Sequence, residues 1–143
     1  MGSVTSANAV LMLSIASLFD VPQQLQGFAP DDVFDIPQLK SAETLMGVDG
    51  ILSAGFVYVE IPQTISLQAD SRSNDVFDTW WTQMQAAKDT YVAQGLISLP
   101  SIGKKYTLVQ GFLTGYKPAP AAKKILQPRQ YQITWASLAP API

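Results

Sequence analysis

Residues 57–67 read VYVEIPQTISL, a pattern that indicates a fold rich in β-strands. Every second residue from Val57 to Leu67 is apolar or carries an amide, whereas the positions between them hold Tyr, Glu, Pro, Thr and Ser. Alternation with a period of two is typical of a β-strand that buries one face. Pro62 cannot donate to a ladder of backbone hydrogen bonds, so the pattern predicts an edge position or a bulge there.

Further strand signals lie on both sides of this stretch. A strand near residues 106–116 is predicted from large apolar side chains in one phase: Tyr106, Leu108, Phe112 and Tyr116. Gly111 and Gly115 fall in the other phase, where they would admit a neighbouring backbone. Alternating apolar residues over 131–135 predict the last strand, and weaker signals occur over 51–55 and before residue 28.

One segment has a helical pattern instead. Residues 74–94 carry large side chains at spacings close to i, i+3, i+4 and i+7. The stripe expected to pack on the sheet consists of Phe77, Trp80, Trp81, Met84 and Tyr91. Ser73 is placed as the N-cap and Gly95 as the C′ residue, so a helix over 74–94 is predicted.

The order of elements is several strands, one helix, then more strands, which predicts an α+β fold that is mainly β. We expect a small β-sandwich or barrel with one long helix packed on it. A chain of 143 residues is long enough for one such domain, and residues 1–143 are treated as a single domain.

Composition excludes several kinds of chemistry. The chain has no Cys and no His, so disulfides, cysteine nucleophiles and imidazole-dependent catalysis are ruled out. Gly103-Lys104-Lys105 lacks the earlier glycine of a phosphate-binding loop. We therefore expect no enzyme activity, no metal and no cofactor. Charged residues make up only 14% of the chain, which favours a surface covered by other subunits.

The apolar run Ala9–Phe19 is similar to the core of a signal peptide. No Lys or Arg precedes Lys40, however, so the basic region of a signal peptide is missing. The run is also about half of the ~20 residues that a membrane span requires. We interpret it as a buried strand in a soluble, unprocessed chain with no membrane partner.

Charge is distributed unevenly along the chain. Residues 1–103 hold all 11 acidic residues and three basic ones, whereas residues 104–143 hold six basic residues and no acid. Such asymmetry is compatible with a nucleic-acid-binding tail or with two faces that meet, within one chain or between chains. Candidate inter-subunit contacts are Asp31, Asp32 and Asp35 on the acidic side, and Lys123, Lys124 and Arg129 on the basic side.

Two local motifs are candidates for functional sites. Asp31, Asp32 and Asp35 lack the spacing of a calcium loop, which favours a solvated turn or a subunit contact over a metal site. Residues 48–50 contain the Asp-Gly dipeptide of a hairpin turn between apolar runs. Met46, Asp49 and Gly50 of this turn are therefore also candidate inter-subunit contacts.

Three short motifs, in their order along the chain, carry a family resemblance. They are QGFAPDDVF at 26–34, MGVDG at 46–50 and SNDVF at 73–77, the last opening the predicted helix. Together with the β-rich pattern between them, they resemble bacteriophage tail tube proteins, especially those of contractile-tailed phages. The resemblance covers roughly residues 8–138.

The resemblance implies a subunit of a hexameric ring, with rings stacked into a hollow tube and strands pooled into a shared inner β-barrel. It implies that DNA passes through the lumen during ejection without sequence-specific binding. It also implies sheath, baseplate and tape-measure proteins as partners, and a place in the virion tail after assembly in the host cytoplasm. In the resembling tubes, a hairpin such as 46–55 reaches the neighbouring ring.

Two other functions remain open from the sequence. One is a monomeric β-sandwich that binds a sugar or peptide on an exposed Trp80, Trp81 or Trp135. The other is a tube component of a bacterial injection system, which would share the fold.

Overall fold

The computed structural model describes residues 9–28, 33–56 and 58–143. Seven strands form one antiparallel sheet in the order β2-β1-β7-β8-β9-β6-β3, and β4 and β5 form a separate hairpin. In chain order the elements are β1 Val10–Ile15, β2 Phe19–Gln24, β3 Phe34–Asp35, β4 Ala42–Met46, β5 Leu52–Phe56, β6 Ile61–Leu67, α1 Asn74–Ala87, β7 Ala93–Leu99, β8 Lys104–Tyr116 and β9 Arg129–Pro142. The predicted α+β, mainly β class is confirmed.

Strand β6 begins at Ile61, so the predicted strand over 57–67 is confirmed only in its second part, and residues 58–60 lie outside any strand. Ile61, Gln63, Ile65 and Leu67 are buried, and β6 pairs with β9 over its whole length without a bulge. On its other side β3 reaches only Thr64 and Ile65, so Pro62 lies where β6 has become an edge. The apolar run Ala9–Phe19 forms a strand only over Val10–Ile15, with alternate residues buried. The chain then turns at residues 16–18, and Phe19 begins β2, so the prediction of one buried strand is confirmed in part.

The sheet curls around its core. The N–H of Leu25 donates to the carbonyl of Leu11 in β1, and Phe28 forms an isolated bridge with Leu67 in β6. Three residue steps span at most about 11 Å. In a flat sheet, Leu25 would lie at the β2 position and Phe28 at the β3 position, six strand spacings or about 29 Å apart. The two sides must therefore approach each other, which gives an incompletely closed barrel instead of a sandwich.

Strand β8 differs from its predicted pattern. Tyr106 and Leu108 face the core, but the phase changes at Gln110, which has φ +55°, so that Gly111 and Leu113 follow on the core face. A second irregularity lies between Leu113 and Gly115 in the pairing with β9. The assignment of Gly111 to the other face was therefore wrong, because a one-residue bulge exchanges the two faces of a strand.

The helix is shorter than predicted. It ends at Ala87, and its C-terminal cap is Lys88 in the left-handed conformation with φ +52°. Gly95 is therefore not the C′ residue but lies inside β7. Ser73 precedes the helix as predicted, yet its hydroxyl accepts from the N–H of Gln26 rather than from the first turn.

The core lies between the curled sheet and one face of α1. Its buried apolar residues are Leu11, Leu13, Ile15, Leu25, Ile61, Ile65, Leu67, Val76, Phe77, Trp80, Ala93, Ile97, Leu108, Leu113, Tyr131, Ile133 and Trp135. None of the helical residues that the structure describes forms a segment with the length and apolar character that crossing a bilayer demands.

Candidate assembly surfaces

The hairpin β4–β5 is set apart from the main sheet. Its strands pair only with each other among the described strands, in register from Ala42 opposite Phe56 to Met46 opposite Leu52. In the turn, the N–H of Gly47 donates to the carbonyl of Ile51 at 2.9 Å, and the Asp49 carboxylate accepts from the Ile51 N–H at 3.1 Å. Gly50 has φ +82°, a conformation that glycine adopts without strain.

The surface of this hairpin is unusually apolar. Six large apolar side chains on it are each at least 59% exposed: Leu45, Met46, Val48, Ile51, Leu52 and Phe56. An isolated two-stranded hairpin is marginally stable in water, and a contiguous exposed apolar patch marks an interaction site. Met46, Asp49 and Gly50, the predicted contacts, all lie in or beside its turn. The arrangement is suited to being covered by another molecule.

A second exposed loop joins β8 to β9. Ala122 and Leu126 form an isolated bridge, and the N–H of Gln127 donates to the carbonyl of Ala121. Lys123 and Lys124 therefore lie at the tip of a tight loop, where both are exposed. We call residues 121–128 the basic loop.

The basic loop also carries apolar residues that the sequence analysis missed. Ile125 and Leu126 are 75% and 55% exposed. They border a groove of ≈ 530 Å³ whose other wall is formed by Gln68, Ala69 and Asp70. This surface could have been recognised in the sequence from the adjacent apolar pair Ile125-Leu126, which follows two lysines and precedes Pro128. The loop thus offers positive charge and apolar area together.

Arg129 directly follows this loop, at the start of β9, and its side chain forms hydrogen bonds within the subunit. Its guanidinium forms two hydrogen bonds with the Asp78 carboxylate, at 2.7 and 3.3 Å, and two with the Lys117 carbonyl, at 2.9 and 3.1 Å. Its side chain is only 7% exposed. Because its donors are already occupied inside the chain, we do not propose Arg129 as an inter-subunit contact.

The Asp78–Arg129 pair joins α1 to β9, and Tyr116 of β8 completes it by donating its hydroxyl to Asp78. Partial burial raises the pKa of Asp78, but hydrogen bonds from Arg129 and Tyr116 and the charge of Arg129 outweigh that effect, so the pKa lies below its ordinary value of 3.8. Burial, together with the neighbouring Asp78 carboxylate, raises the pKa of Tyr116. The carboxylate is therefore ionised, and the phenol protonated, at neutral pH.

This pair predicts a pH-dependent contribution to stability. A carboxylate with a lowered pKa stabilises the fold fully above its unfolded-state pKa and progressively less as the pH falls through the folded-state value. We expect Asp78→Asn to cost about 1–2 kcal/mol at pH 7, because the guanidinium is left without its counter-charge. Urea unfolding at pH 7 and pH 3 should show the difference between variant and parent shrinking at pH 3. A difference that is unchanged between the two pH values would contradict the assignment.

The helix stripe divides into buried and surface residues. Phe77 and Trp80 are fully buried, and Phe77 stacks on Tyr131 with ring centroids 4.1 Å apart. Trp81 is 39% exposed and stacks on Tyr116 at 4.8 Å. Met84 is partly buried in the helix. Tyr91 is also partly buried, but it lies beyond the end of the helix, and its carbonyl accepts from the Trp80 indole N–H at 3.1 Å.

The tryptophans do not form an exposed stacking face. Trp135 is buried and donates its indole N–H to the Gln63 amide oxygen at 3.0 Å. With Trp80 also buried, only Trp81 reaches the surface, where one of its ring faces is already covered by Tyr116. This arrangement does not support a β-sandwich that binds a sugar or peptide on an exposed tryptophan.

The acidic candidates are only partly described. Asp35 is exposed on the short edge strand β3, whereas Asp31 and Asp32 lie outside the described residues. Within the described ranges, no cluster of three or more acidic side chains that could hold a metal ion is present.

Comparison with known proteins gives a family and a fold. The sequence matches a family described as tail fiber protein gp32 over residues 2–139. A chain of the tube-terminating cap of the anti-feeding prophage matches with TM-score 0.65 and 11% identity, covering 100% of this chain and 93% of that chain. A chain of the sheath–tube complex of an extracellular contractile injection system, PVC, in its extended state matches with TM-score 0.62 and 11% identity, covering 93% and 88%.

A chain of the anti-feeding prophage baseplate matches with TM-score 0.60 and 11% identity, covering 99% of this chain and 97% of that chain. No curated protein matches the sequence. At 11% identity these structures establish the fold alone. The predicted resemblance to tail tube proteins is confirmed at that level.

Proposed function

The chain belongs to the tail fiber protein gp32 family, and from this premise we propose that it is a structural subunit of a tail tube, assembled as stacked rings. The observation that carries the proposal is the apolar hairpin β4–β5, which stands apart from a sheet whose fold matches chains of tube, cap and baseplate assemblies. The function is structural, with no catalytic step.

Ring formation is supported by the edges of the sheet. Strand β2 forms one edge, and β3 covers only two residues of β6 at the other. Unpaired strand edges are templates for pairing with other chains, and closure of a ring removes them. Pooling strands from six subunits would exceed the 16 strands that leave an aqueous channel in a barrel. We propose that DNA passes through this lumen, and that sheath, baseplate and tape-measure proteins contact the tube.

We propose the same role in the tube for a phage tail and for an injection system. Two of the matching structures come from the anti-feeding prophage and one from an extracellular contractile injection system. The proposal therefore concerns the tube itself. Identifying what fills the lumen would show whether the tube belongs to a phage tail or to an injection system.

Deleting residues 47–53 tests the role of the hairpin. We expect the deleted chain to remain folded, because β4 and β5 pair with no other described strand. We also expect it to form no tubes, because the apolar hairpin surface is lost. Negative-stain electron microscopy and circular dichroism of the purified proteins give both readouts.

A matched pair of substitutions accompanies the deletion. Ile51→Ser and Ile102→Ser each remove an exposed isoleucine, but Ile102 lies in the turn between β7 and β8, away from the hairpin and from the sheet edges. Tubes should be lost or shortened only with Ile51→Ser. Tubes of normal length from the deletion would refute the hairpin's role, and rings that never stack would favour a cap over a tube.

Charge reversal tests stacking between rings. We propose that Lys123 and Lys124 meet Asp31, Asp32 and Asp35 of the next ring, each pair contributing only about 0–1 kcal/mol but repeated around the junction. Lys123→Glu with Lys124→Glu should shorten tubes at low salt while rings persist. Adding Asp31→Lys and Asp32→Lys should restore their length. Unchanged tube length at low salt, where screening is weakest, would reject these contacts.

A further inference from the structure

The face of the sheet that points away from the core is almost free of charge. The adjacent strands β1, β7, β8, β9 and β6 are fully described and contain none of the 11 acidic residues of the chain. Their basic residues are Lys104, Lys105 and Arg129. Arg129 is buried on the core side, and Lys104 pairs with Leu99, which packs on the core. Among these five strands, only Lys105, near one end of β8, is charged on the outward face. The edge strands β2 and β3 add Asp20 and Asp35 at the two margins of the sheet.

The outward side chains of these strands are hydroxyls and amides together with apolar groups such as Leu96, Val109 and Phe112. Gln130, Gln132 and Thr134 alternate with the buried Tyr131, Ile133 and Trp135 of β9. Thr114 of β8 lies on the same face, because its hydroxyl oxygen is 2.9 Å from that of Thr134. Gln94 and Thr107 extend the surface across β7 and β8. We call these six polar residues the neutral face.

Helix α1 cannot cover the neutral face. It packs on the opposite side of the sheet, where Phe77 stacks on Tyr131 and Asp78 binds Arg129. Most charges of the subunit lie elsewhere, in α1, the loops, the hairpin and the edge strands β2 and β3. If strands from several subunits are pooled into one barrel, the neutral face is the side of the sheet that remains open to line it.

We propose that the neutral face is the wall of the lumen, and that a nucleic acid moves along it without being held or repelled by fixed charges. The inference rests on the proposed function and adds to it the residues and the chemistry of the wall. DNA carries one negative charge per about 1.7 Å of helix, and each lysine or arginine contact adds salt-dependent binding. In a repeating tube, even weak attraction at each subunit would accumulate along the polymer. Hydroxyl and amide groups interact with water instead, so a hydrated polymer slides past them.

Cysteine accessibility tests the position of the face. The chain has no native cysteine, so Thr114→Cys and Gln85→Cys, the latter on the exposed side of α1, can each be labelled without background. In assembled tubes, a small maleimide should label both, whereas a maleimide bearing a bulky polymer should label Thr114→Cys at least tenfold more slowly. Equal bulky labelling on intact tubes would overturn this inference alone, and absence of tubes from the parent protein would overturn the proposed function and this inference with it.

Charge insertion tests the chemistry. Tubes of Thr114→Lys/Thr134→Lys assembled with a single-stranded DNA oligonucleotide should retain at least tenfold more nuclease-protected DNA than parental tubes at low salt, and lose it as salt rises. The matched control, Thr82→Lys/Gln85→Lys, places the same charge on α1, where bound DNA should remain sensitive to nuclease. Equal protection by parental and Thr114→Lys/Thr134→Lys tubes would refute a neutral, non-binding wall.

Discussion

Replacing Trp80 with alanine is expected to lower the free energy of unfolding by about 3–5 kcal/mol, the range typical of a buried tryptophan. The Trp80 side chain is fully buried between α1 and the sheet, and its indole N–H satisfies the Tyr91 carbonyl beyond the end of the helix. Such a loss is a large part of the ~5–15 kcal/mol that stabilises a typical domain. Urea unfolding followed by circular dichroism measures it without relying on tryptophan fluorescence.

The neighbouring Trp81 supplies the control. It is 39% exposed and gains mainly from stacking on Tyr116, so Trp81→Ala should cost only about 0.5–1.5 kcal/mol. Trp80→Phe should fall between the two, because it keeps most of the volume and leaves the Tyr91 carbonyl without its donor. Equal losses for Trp80→Ala and Trp81→Ala would mean that the helix does not pack as described.

The buried faces of individual strands could be predicted from sequence because they depend on local alternation. The period of two holds over residues 61–65 of β6 and 131–135 of β9, and the buried residues of these two segments were identified correctly. The Asp-Gly turn also predicted the hairpin β4–β5. These features need no knowledge of what lies on the other side of the core.

Other features depend on contacts that are distant in sequence. Tyr91 falls at a helical spacing, yet Lys88 adopts a left-handed conformation and the chain enters β7 to pair with β1 and β8. The phase change at Gln110 likewise depends on the pairing of β8 with its two neighbours, β7 and β9. Nor could the burial of Arg129 be predicted, since its partner Asp78 lies 51 positions earlier in the chain. The charge pattern of the sequence suggested a surface position for Arg129. Its guanidinium instead connects β9 to α1 through Asp78.

A second large effect on stability is expected from substituting Gly111, which the sequence pattern placed on the wrong face of β8. A Cβ atom built there would lie 2.5 Å from Cε3 and 2.6 Å from Cζ3 of Trp135, and 3.0 Å from Cγ2 of Ile133. The ring cannot move away freely, because Gly95 contacts its far edge and the indole N–H is bound to Gln63. The Trp135 ring can therefore pack across β7 and β8 only because the residues beneath it, Gly95 and Gly111, have no side chain.

We expect Gly111→Val to destabilise the subunit by about 3 kcal/mol, at the upper end of the usual cost of overpacking a core. Gly55→Val is the matched control: Gly55 is an exposed strand residue, and a Cβ there meets no atom within 4 Å, so its effect should stay within about 0.5 kcal/mol. Combining Gly111→Val with Trp135→Leu should recover part of the loss, because the smaller side chain removes the clash and couples the two sites. Additive losses in the double variant, measured by urea unfolding, would show that Trp135 is not what excludes a side chain at Gly111.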